Sequence, residues 1–410
     1  MKYGLIGEKL SHSFSKEIHE ALADYEYEIT PIAKDKLDEF MIKREFIAIN
    51  VTIPYKEDVI PYLDYISDQA KEIGAVNTIV NRGGKLFGYN TDFFGMTDLI
   101  NHAGIEIKGK KVLVLGTGGT SKTSLSVVKA LGAREIYTVS RSGKDGALTY
   151  DEAYEKHSDA EVIINTTPAG MYPNIDGLPI DSVRFPSLEG AIDAIYNPLR
   201  TKFVQRAKEG GAIAEGGLYM LVAQGVRAAE IFLGKEFSED ETEKVYGKIL
   251  RSKENIVLSG MPGCGKSTIG KMLAEKLHRP FIDLDDEIVK MAGKPITEIF
   301  AEGGESHFRN IETEVARNVA RISGAVIATG GGAILRDENV RLLKQNGRIY
   351  FLDRPLEQLL PTADRPLASS AEAIKTRYNE RFPRYCSVCD VHLKTDGIAE
   401  HTTEEIAKEF

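Results

Sequence analysis

The chain is short of cysteine, has no excess of positive charge and has no long apolar run, and each shortage excludes a class of protein. Three cysteines (Cys264, Cys386 and Cys389) stand among 410 residues, too few for a disulfide framework. Acids outnumber bases, 61 against 52, for a net charge of −9. A nucleic-acid partner, which calls for clustered lysine and arginine, is not expected. No apolar stretch approaches the roughly 18 residues that span a bilayer, so no membrane partner is expected either. The opening residues MKYGLIGEKLSHS lack a charged-then-apolar leader pattern. There is no low-complexity tract and no repeat of short period. A soluble cytoplasmic protein is the expectation.

What the chain does have is regular alternation. An apolar fraction of 42% is ample for packed cores, and the length predicts two or three domains. KYGLIG and EFIAINVTI read as strands, and AVNTIVNRGGKLFGYNTD reads as a hairpin turning at Arg82, Gly83 and Gly84. KKVLVLGTGGT is an apolar strand that runs into a glycine turn and a helix. REIYTVSRS, EVIINTTPAGM and GAIDAIY are further strands, and helical periods follow from Gly216. Residues 251–254, RSKE, are polar and aperiodic and are assigned as a linker; NIVLSG then opens a fresh strand. Strands alternating with helices on both sides of that point predict an α/β architecture with mostly parallel sheets.

Residues 260–268, GMPGCGKST, satisfy GxxxxGK[ST] between a strand and a helix, the context that confirms a P-loop. Its glycines let backbone N–H groups curl around phosphate oxygens at a helix N-terminus. Gly263, Cys264, Gly265, Lys266, Ser267 and Thr268 are the expected ATP-binding residues, with Lys266 on the β/γ-phosphates and Ser267 on Mg²⁺. FIDLDDEI reads as a strand ending in Asp283 and Asp285, whose spacing of two puts both carboxylates on one side. GGESHFRNIE, TGGGAIL, DRPLA and NERFPRY follow in order. Together these motifs closely resemble the shikimate kinase family over residues 255–400. The resemblance implies that Asp283 serves Mg²⁺ and that Asp285 orients the attacking hydroxyl. It implies that Arg309 and Arg381 grip a substrate carboxylate, a role that suits the planar guanidinium. Gly330, Gly331 and Gly332 are implied to approach the substrate ring, and Arg365 to close over the transferred phosphoryl group. The stretch before that arginine, PLEQLLPTADRP, is compact. Cys386, Cys389 and His392 have metal-like spacing but offer three ligands where a structural zinc takes four; they are assigned to a helix-to-strand junction.

The glycine turn GTGGTS lacks the third glycine of GxGxxG and by itself is a weak dinucleotide signal. The next strand ends in Ser140 and Arg141, and an arginine there suits a 2′-phosphate, hence NADP. GEKLSHSFS, NVTIPYK, GAVNT, GYNTD, INTTPAGM, DAIYNP and GLYMLVAQ complete a series that resembles the shikimate dehydrogenase family from Met1 to about Leu250. The resemblance implies a substrate-binding domain over 1–102 plus 216–250, a Rossmann-like NADP domain over 103–215, and a kinase domain of the P-loop, nucleoside-monophosphate-kinase type over 255–410. It implies Lys56 and Asp92 as the catalytic pair. Ser13 and Ser15 would bind the carboxylate, Thr52, Asn77 and Gln224 the ring hydroxyls, and Tyr196 would line the same cleft. Gly116, Thr117, Gly118, Gly119, Thr120, Ser140, Arg141, Thr166, Met171, Gly217 and Met220 would contact NADP. A lysine ammonium beside a carboxylate can both steady a forming alkoxide and protonate it. The stretch 141–161 is short, so one helix of the cofactor domain is expected to be reduced.

The two resemblances converge on one small molecule. The first part would reduce 3-dehydroshikimate to shikimate with NADPH, and the second would phosphorylate it with MgATP, as a monomer or homodimer. Two alternatives stand beside this reading. One is a quinate/shikimate dehydrogenase working oxidatively with NAD, against which Arg141 and the attached kinase count. The other is a non-catalytic sensor, which should have lost the reactive residues kept here.

Overall fold

The structure, a computed structural model, describes residues 1–8, 10, 13–359 and 371–410. Its contacts form two units, Met1–Ile249 and Leu250–Phe410.

The first unit holds two sheets. Strands β1 (Tyr3–Gly7), β2 (Tyr27–Pro31), β3 (Ala48–Val51), β4 (Tyr65–Ile66), β5 (Thr78–Arg82) and β6 (Lys85–Tyr89) lie in the order β2-β1-β3-β5-β6-β4. All pair in parallel except β5, which runs against β3 and β6. The β5–β6 hairpin closes with Arg82 opposite Lys85. Gly83 and Gly84 take φ of 61° and 86°, left-handed values that glycine adopts without steric cost in such tight turns. β3 is buried at all four positions, as expected of a strand covered on both faces. β2 buries only Tyr27, so its sequence carries little strand signal. The helix Asp92–His102 follows β6 and packs on the helix Leu218–Leu233. Gly95 permits the close approach: a Cβ there would lie 2.6 Å from the Met220 carbonyl oxygen.

The second sheet is wholly parallel: β7 (Lys111–Leu115), β8 (Glu135–Val139), β9 (Val162–Asn165), β10 (Gly190–Asp193) and β11 (Ile213–Glu215), in the order β11-β10-β9-β7-β8. Every residue of β7, β9 and β10 is buried. Val112, Val114 and Ile164 face one core, and Leu113, Leu115 and Ile163 face another. The strand order reverses at β7. This places a crevice outside the carboxyl ends of β7 and β9, where open α/β sheets bind ligands. The helix between β8 and β9, Tyr150–Lys156, has seven residues, in keeping with the shortness of its segment.

Residues 251–253 are not an irregular linker. They complete the helix Glu239–Lys253, and β12 starts two residues later. Polarity there reflects an exposed last turn: Arg251 and Ser252 are exposed.

The second unit carries β12 (Asn255–Ser259), β13 (Phe281–Asp283), β14 (Val326–Ala328), β15 (Gly347–Asp353) and β16 (Val391–Lys394), all parallel, in the order β13-β14-β12-β15-β16. β12 is central, and the order reverses there too. The P-loop therefore emerges at the same kind of crevice, between the ends of β14 and β15. The helix Ile296–Val319 kinks at Gly304, where φ is 67°. Among the described residues no helix is long and apolar enough to cross a membrane.

Candidate active sites

In the first unit, the turn after β3 delivers Lys56, and the start of the helix Asp92–His102 delivers Asp92. Lys56 Nζ donates to Asp92 Oδ2 at 2.5 Å, with side chains 18% and 10% exposed. The pair is thus mostly sheltered yet reachable. Asn77 lies beside it. Its Oδ1 accepts from the Thr91 backbone N–H at 2.7 Å, and its Nδ2 donates to Thr91 Oγ1 at 3.1 Å. A backbone N–H can only donate, so the amide orientation of Asn77 is settled by that contact. Thr91 Oγ1 also reaches Gln224 Oε1 at 3.4 Å. Lys56, Asp92, Asn77 and Gln224 are therefore one neighbourhood, with Thr91 between the last two. Thr91 stands within the GYNTD motif, and sequence reasoning assigned it no role. Its place directly before Asp92 was the available signal.

A buried chain backs this wall. Tyr27 Oη donates to Asn50 Oδ1 at 2.7 Å, and Asn50 Nδ2 donates to Thr78 Oγ1 at 3.0 Å. Thr78 Oγ1 in turn donates to Asn77 Oδ1 at 3.1 Å. His19 stacks on Tyr27 at 4.1 Å and shares a 2.6 Å hydrogen bond with Tyr25 Oη. Burial pushes the His19 imidazole down to about 3, with a bond to Asn50 acting weakly the other way. Ser13 and Ser15 hydrogen-bond each other at 3.0 Å at the start of the helix Ser15–Leu22. Phe14, between them, packs edge-on against Tyr196, with ring centroids 5.1 Å apart. Burial raises the Tyr196 hydroxyl above its ordinary range. Thr52 follows β3, with its N–H on the Ile6 carbonyl at 2.9 Å. Lys9, Ser11 and His12 of the GEKLSHSFS motif lie outside the described residues.

At the end of β7, Gly116 has φ of 109°, and a Cβ there would lie 2.7 Å from Thr166 Oγ1. Thr166 Oγ1 donates to the Leu115 carbonyl at 2.6 Å, and Ser121 Oγ to the Gly116 carbonyl at 2.7 Å. Gly118 caps the helix Gly119–Ala130, and open space lies where a Cβ on Gly118 or Gly119 would point. That leaves a helix N-terminus with free approach, flanked by Thr117 and Thr120, and it fits a pyrophosphate. Ser140 Oγ accepts from the Gly143 N–H at 3.1 Å, and Arg141, just beyond the end of β8, is exposed. Met171 is 46% exposed. Met220 is packed in the core with Met96 and Leu99. Gly217 begins the helix Leu218–Leu233 against the Ala194 carbonyl, which a Cβ would strike.

In the second unit, Lys266 Nζ is folded onto the P-loop, donating to the carbonyls of Gly260 and Met261 at 2.9 Å each. Gly263 and Gly265 have φ of 82° and 101°, which only glycine holds readily. Ser267 Oγ donates to Asp283 Oδ2 at 2.6 Å. This hydroxyl–carboxylate pair beside a phosphate loop suits Mg²⁺, a hard cation that takes oxygen ligands. Asp283 and Asp285 do not share a strand. β13 ends at Asp283, which caps the helix Leu284–Ala292 by accepting from the Asp285 N–H at 3.0 Å. The helix turn, not strand alternation, aims Asp285 toward Gly330, whose Cβ would lie 2.8 Å from its Oδ1. A Cβ on Gly332 would lie 2.5 Å from Arg309 Nη1. Arg381 Nη1 donates to the Gly331 carbonyl at 3.0 Å, and Tyr385 Oη does so at 2.5 Å. Arg309, Arg381, Asp285 and residues 330–332 therefore converge.

Arg309 is already engaged. Its Nη1 donates to both oxygens of Glu312 at 2.8–2.9 Å, and its Nη2 to Glu305 at 3.1 Å. Burial works against the guanidinium charge, but Glu312 and Glu305 outweigh it and strengthen its hold on the proton. Burial raises the Glu312 carboxyl, against the pull of Arg309. Glu312 was missed from sequence although it stands three residues after Arg309, a spacing that meets on a helix face. His392 pairs with Asp353 at 2.9 Å, and Cys389 Sγ with the Cys386 carbonyl at 3.5 Å. Arg365 lies outside the described residues, with the rest of DRPLA.

Comparison with known proteins matches the two parts of the chain to different families. The family model "Shikimate dehydrogenase substrate binding domain" matches residues 5–79, and "Shikimate kinase" matches residues 262–410. A shikimate dehydrogenase (NADP(+)) of Clostridium beijerinckii is 40% identical over 259 residues, covering 60% of this chain and 96% of that protein. Among solved structures, a chorismate mutase/shikimate 5-dehydrogenase fusion from Clostridium acetobutylicum is similar at 36% identity and a TM-score of 0.57, over 60% of this chain and 96% of that one. A Thermus thermophilus shikimate 5-dehydrogenase solved with NADP(H) and shikimate is similar at 28% identity and 0.55, over 60% and 99%.

Proposed function

The chain belongs to the shikimate dehydrogenase family and carries a shikimate kinase domain behind it, and from that premise we propose that one polypeptide catalyses two consecutive reactions. It reduces 3-dehydroshikimate to shikimate with NADPH, then phosphorylates shikimate at the 3-hydroxyl with MgATP. The observation that carries the reading is the coexistence of two built sites. One is the Lys56–Asp92 pair beside Asn77 and Gln224. The other is the Ser267–Asp283 pair with Asp285, Arg309 and Arg381 around residues 330–332.

When bound, NADPH supplies a hydride to the ring ketone carbon, and ATP supplies the phosphoryl group. Lys56 donates a proton from Nζ to the ketone oxygen as charge builds there, and Asp92 holds the ammonium in place. Asn77, Gln224 and Thr52 hold ring hydroxyls, Ser13 and Ser15 hold the carboxylate, and Tyr196 lines the cleft. The glycine turn at 116–120 and Arg141 hold the cofactor phosphates. In the kinase, Ser267 and Asp283 hold Mg²⁺ and Lys266 leaves its loop carbonyls for phosphate oxygens. Asp285 orients the hydroxyl. Arg309 and Arg381 grip the carboxylate, with Glu305 as the exposed partner that a substrate displaces and Glu312 as the buried one that stays. A cytoplasmic setting, with reduced thiols and both nucleotides at hand, accords with three unpaired cysteines.

The test is incubation of the purified chain with 3-dehydroshikimate, NADPH and MgATP, with the product identified by mass. Shikimate 3-phosphate, with NADP⁺ and ADP in equal amounts, is expected. Accumulation of shikimate would remove the kinase half of the reading, and no turnover would remove both.

A further inference from the structure

We infer that Asp193 is a positioning residue for the reduction: one buried carboxyl ties the loop after β9 to the segment that carries Tyr196. The inference rests on the dehydrogenase reading of the first unit and adds a residue that the reading does not use.

Asp193 ends β10 and is fully buried. Its Oδ1 accepts from Asn165 Nδ2 and from the Ile195 N–H, each at 3.0 Å. Its Oδ2 accepts from Thr201 Oγ1 at 2.6 Å. Asn165 ends β9 and is equally buried. Its side-chain carbonyl accepts from the Thr167 N–H at 3.0 Å and the Thr167 hydroxyl at 2.7 Å. The result is a continuous line, Thr201 to Asp193 to Asn165 to Thr167, across the carboxyl ends of two adjacent strands. Thr166, which crowds Gly116, is therefore bonded to β7 through the Leu115 carbonyl and flanked in sequence by Asn165 and Thr167, the two residues that the line from Asp193 ties together. Two further bonds close the frame. The Gly217 N–H donates to the Ile195 carbonyl at 2.8 Å, and the Tyr172 N–H to the Asn197 carbonyl at 3.0 Å. The loop 166–171, Tyr196 and Gly217 all depend on the conformation that Asp193 sets. The first and last are expected at the cofactor, and the middle one at the substrate.

An acid at this place has a chemical reason. Three donors converge on two oxygens, and a carboxylate accepts from all of them without having to donate. Among the described residues no cation pairs with it. On the elements packed against it, Glu215 of β11 pairs with Lys208, and Arg206 with Asp181 and Glu209. Lys202 and Tyr196 make no bond to the carboxyl among the described residues. Burial without a counter-charge raises Asp193 to about 7, against the pull of its three donors. Near neutrality the carboxyl then takes up a proton, which can sit on Oδ2 and point at Thr201 Oγ1. That reverses the bond to Thr201 and turns its hydroxyl proton elsewhere. The frame around the cofactor loop is thereby linked to pH.

The full-length protein, Asp193→Asn and Thr201→Val are compared for KM of NADPH and kcat from pH 6 to 8.5, with 3-dehydroshikimate saturating. The amide of Asp193→Asn donates to Thr201 at every pH. The NADPH 2′-phosphate titrates equally in all three proteins and cancels in the ratio of variant to wild type. The expected result is a ratio of KM values that changes at least threefold across a midpoint near 7 for Asp193→Asn, with kcat less affected. Thr201→Val should raise KM, and Thr201→Ser should restore it. A pH profile of Asp193→Asn that parallels the wild type would overturn the inference. If that variant loses its cooperative melt, Thr201→Val decides, and a wild-type KM there would overturn it. A wild-type protein that reduces no 3-dehydroshikimate would instead overturn the underlying reading.

Discussion

Two single substitutions should separate the two chemistries. Lys56→Ala takes away the proton donor proposed for the reduction and should lower its kcat by about 10³-fold, within the range for a general acid, while phosphorylation of added shikimate continues. Asp285→Asn should do the reverse. Separate assays of NADPH oxidation and ADP formation check both, and loss of both activities from either change, with folding intact, would contradict two independent sites. A third residue should contribute to acid sensitivity. His19 is buried neutral, its pKa lowered from 6.5 to about 3 by burial. The unfolded chain therefore takes up a proton that the folded chain refuses. The stabilisation is present above pH 6.5 and is lost as pH falls toward 3, at most about 5 kcal/mol at ~1.4 kcal/mol per pH unit. His19→Gln should flatten the fall of Tm between pH 6.5 and 4 relative to wild type. Parallel curves would show that the acid sensitivity lies elsewhere.

Elements bring these side chains together by close backbone approach. The segment 330–332 after β14 runs so near Arg309 that a Cβ on Gly332 would lie 2.5 Å from its Nη1. Gly332→Ala should push the guanidinium aside and raise KM for shikimate in the kinase assay. A displacement of about 1 Å costs on the order of a hundredfold. KM for ATP should change little, and this contrast is the check. In the first unit, Gly95 lets the helix Asp92–His102 lie against Leu218–Leu233, so close that a Cβ on Gly95 would come within 2.6 Å of the Met220 oxygen. Gly95→Ala should force these helices apart, moving Asp92 away from Gln224. A lower Tm together with a raised KM for 3-dehydroshikimate is expected. A change in Tm alone would mean that the helix spacing does not set the site.

At the scale of the whole molecule, the fusion links what one site makes to what the other uses. From 3-dehydroshikimate, one NADPH should be oxidised for each ATP consumed at the end point. In the Lys56→Ala protein neither should be consumed until shikimate is added, after which ADP alone should form. ADP formation from 3-dehydroshikimate in that variant would mean that the kinase accepts the ketone. Equal copy number of two sites does not by itself imply transfer between them, because effective concentration depends on geometry. The acidic net charge of −9 does not preclude anionic substrates, because charge acts locally: in the second unit the cations Lys266, Arg309 and Arg381 are all buried.

Local pattern along the chain marked many of the elements that carry the two sites. Buried parallel strands are read from runs such as KVLVL and NIVLS, and phosphate turns are read from glycine at positions that need left-handed φ. Motif succession also marked Lys56, Asp92, Asn77, Ser267, Asp283, Asp285, Arg309 and Arg381. Packing settled what local pattern cannot carry. β2 escapes notice because four of its five residues are not buried, and the linker became a helix because an exposed polar turn looks aperiodic. Asp285 is aimed by a helix cap and not by strand alternation. Thr91, Glu312 and Asp193 gain their roles from partners brought up by other turns and strands. Hydrogen bonds are short and directional, so which polar groups meet depends on the packing of distant segments and not on the residues beside them in the chain.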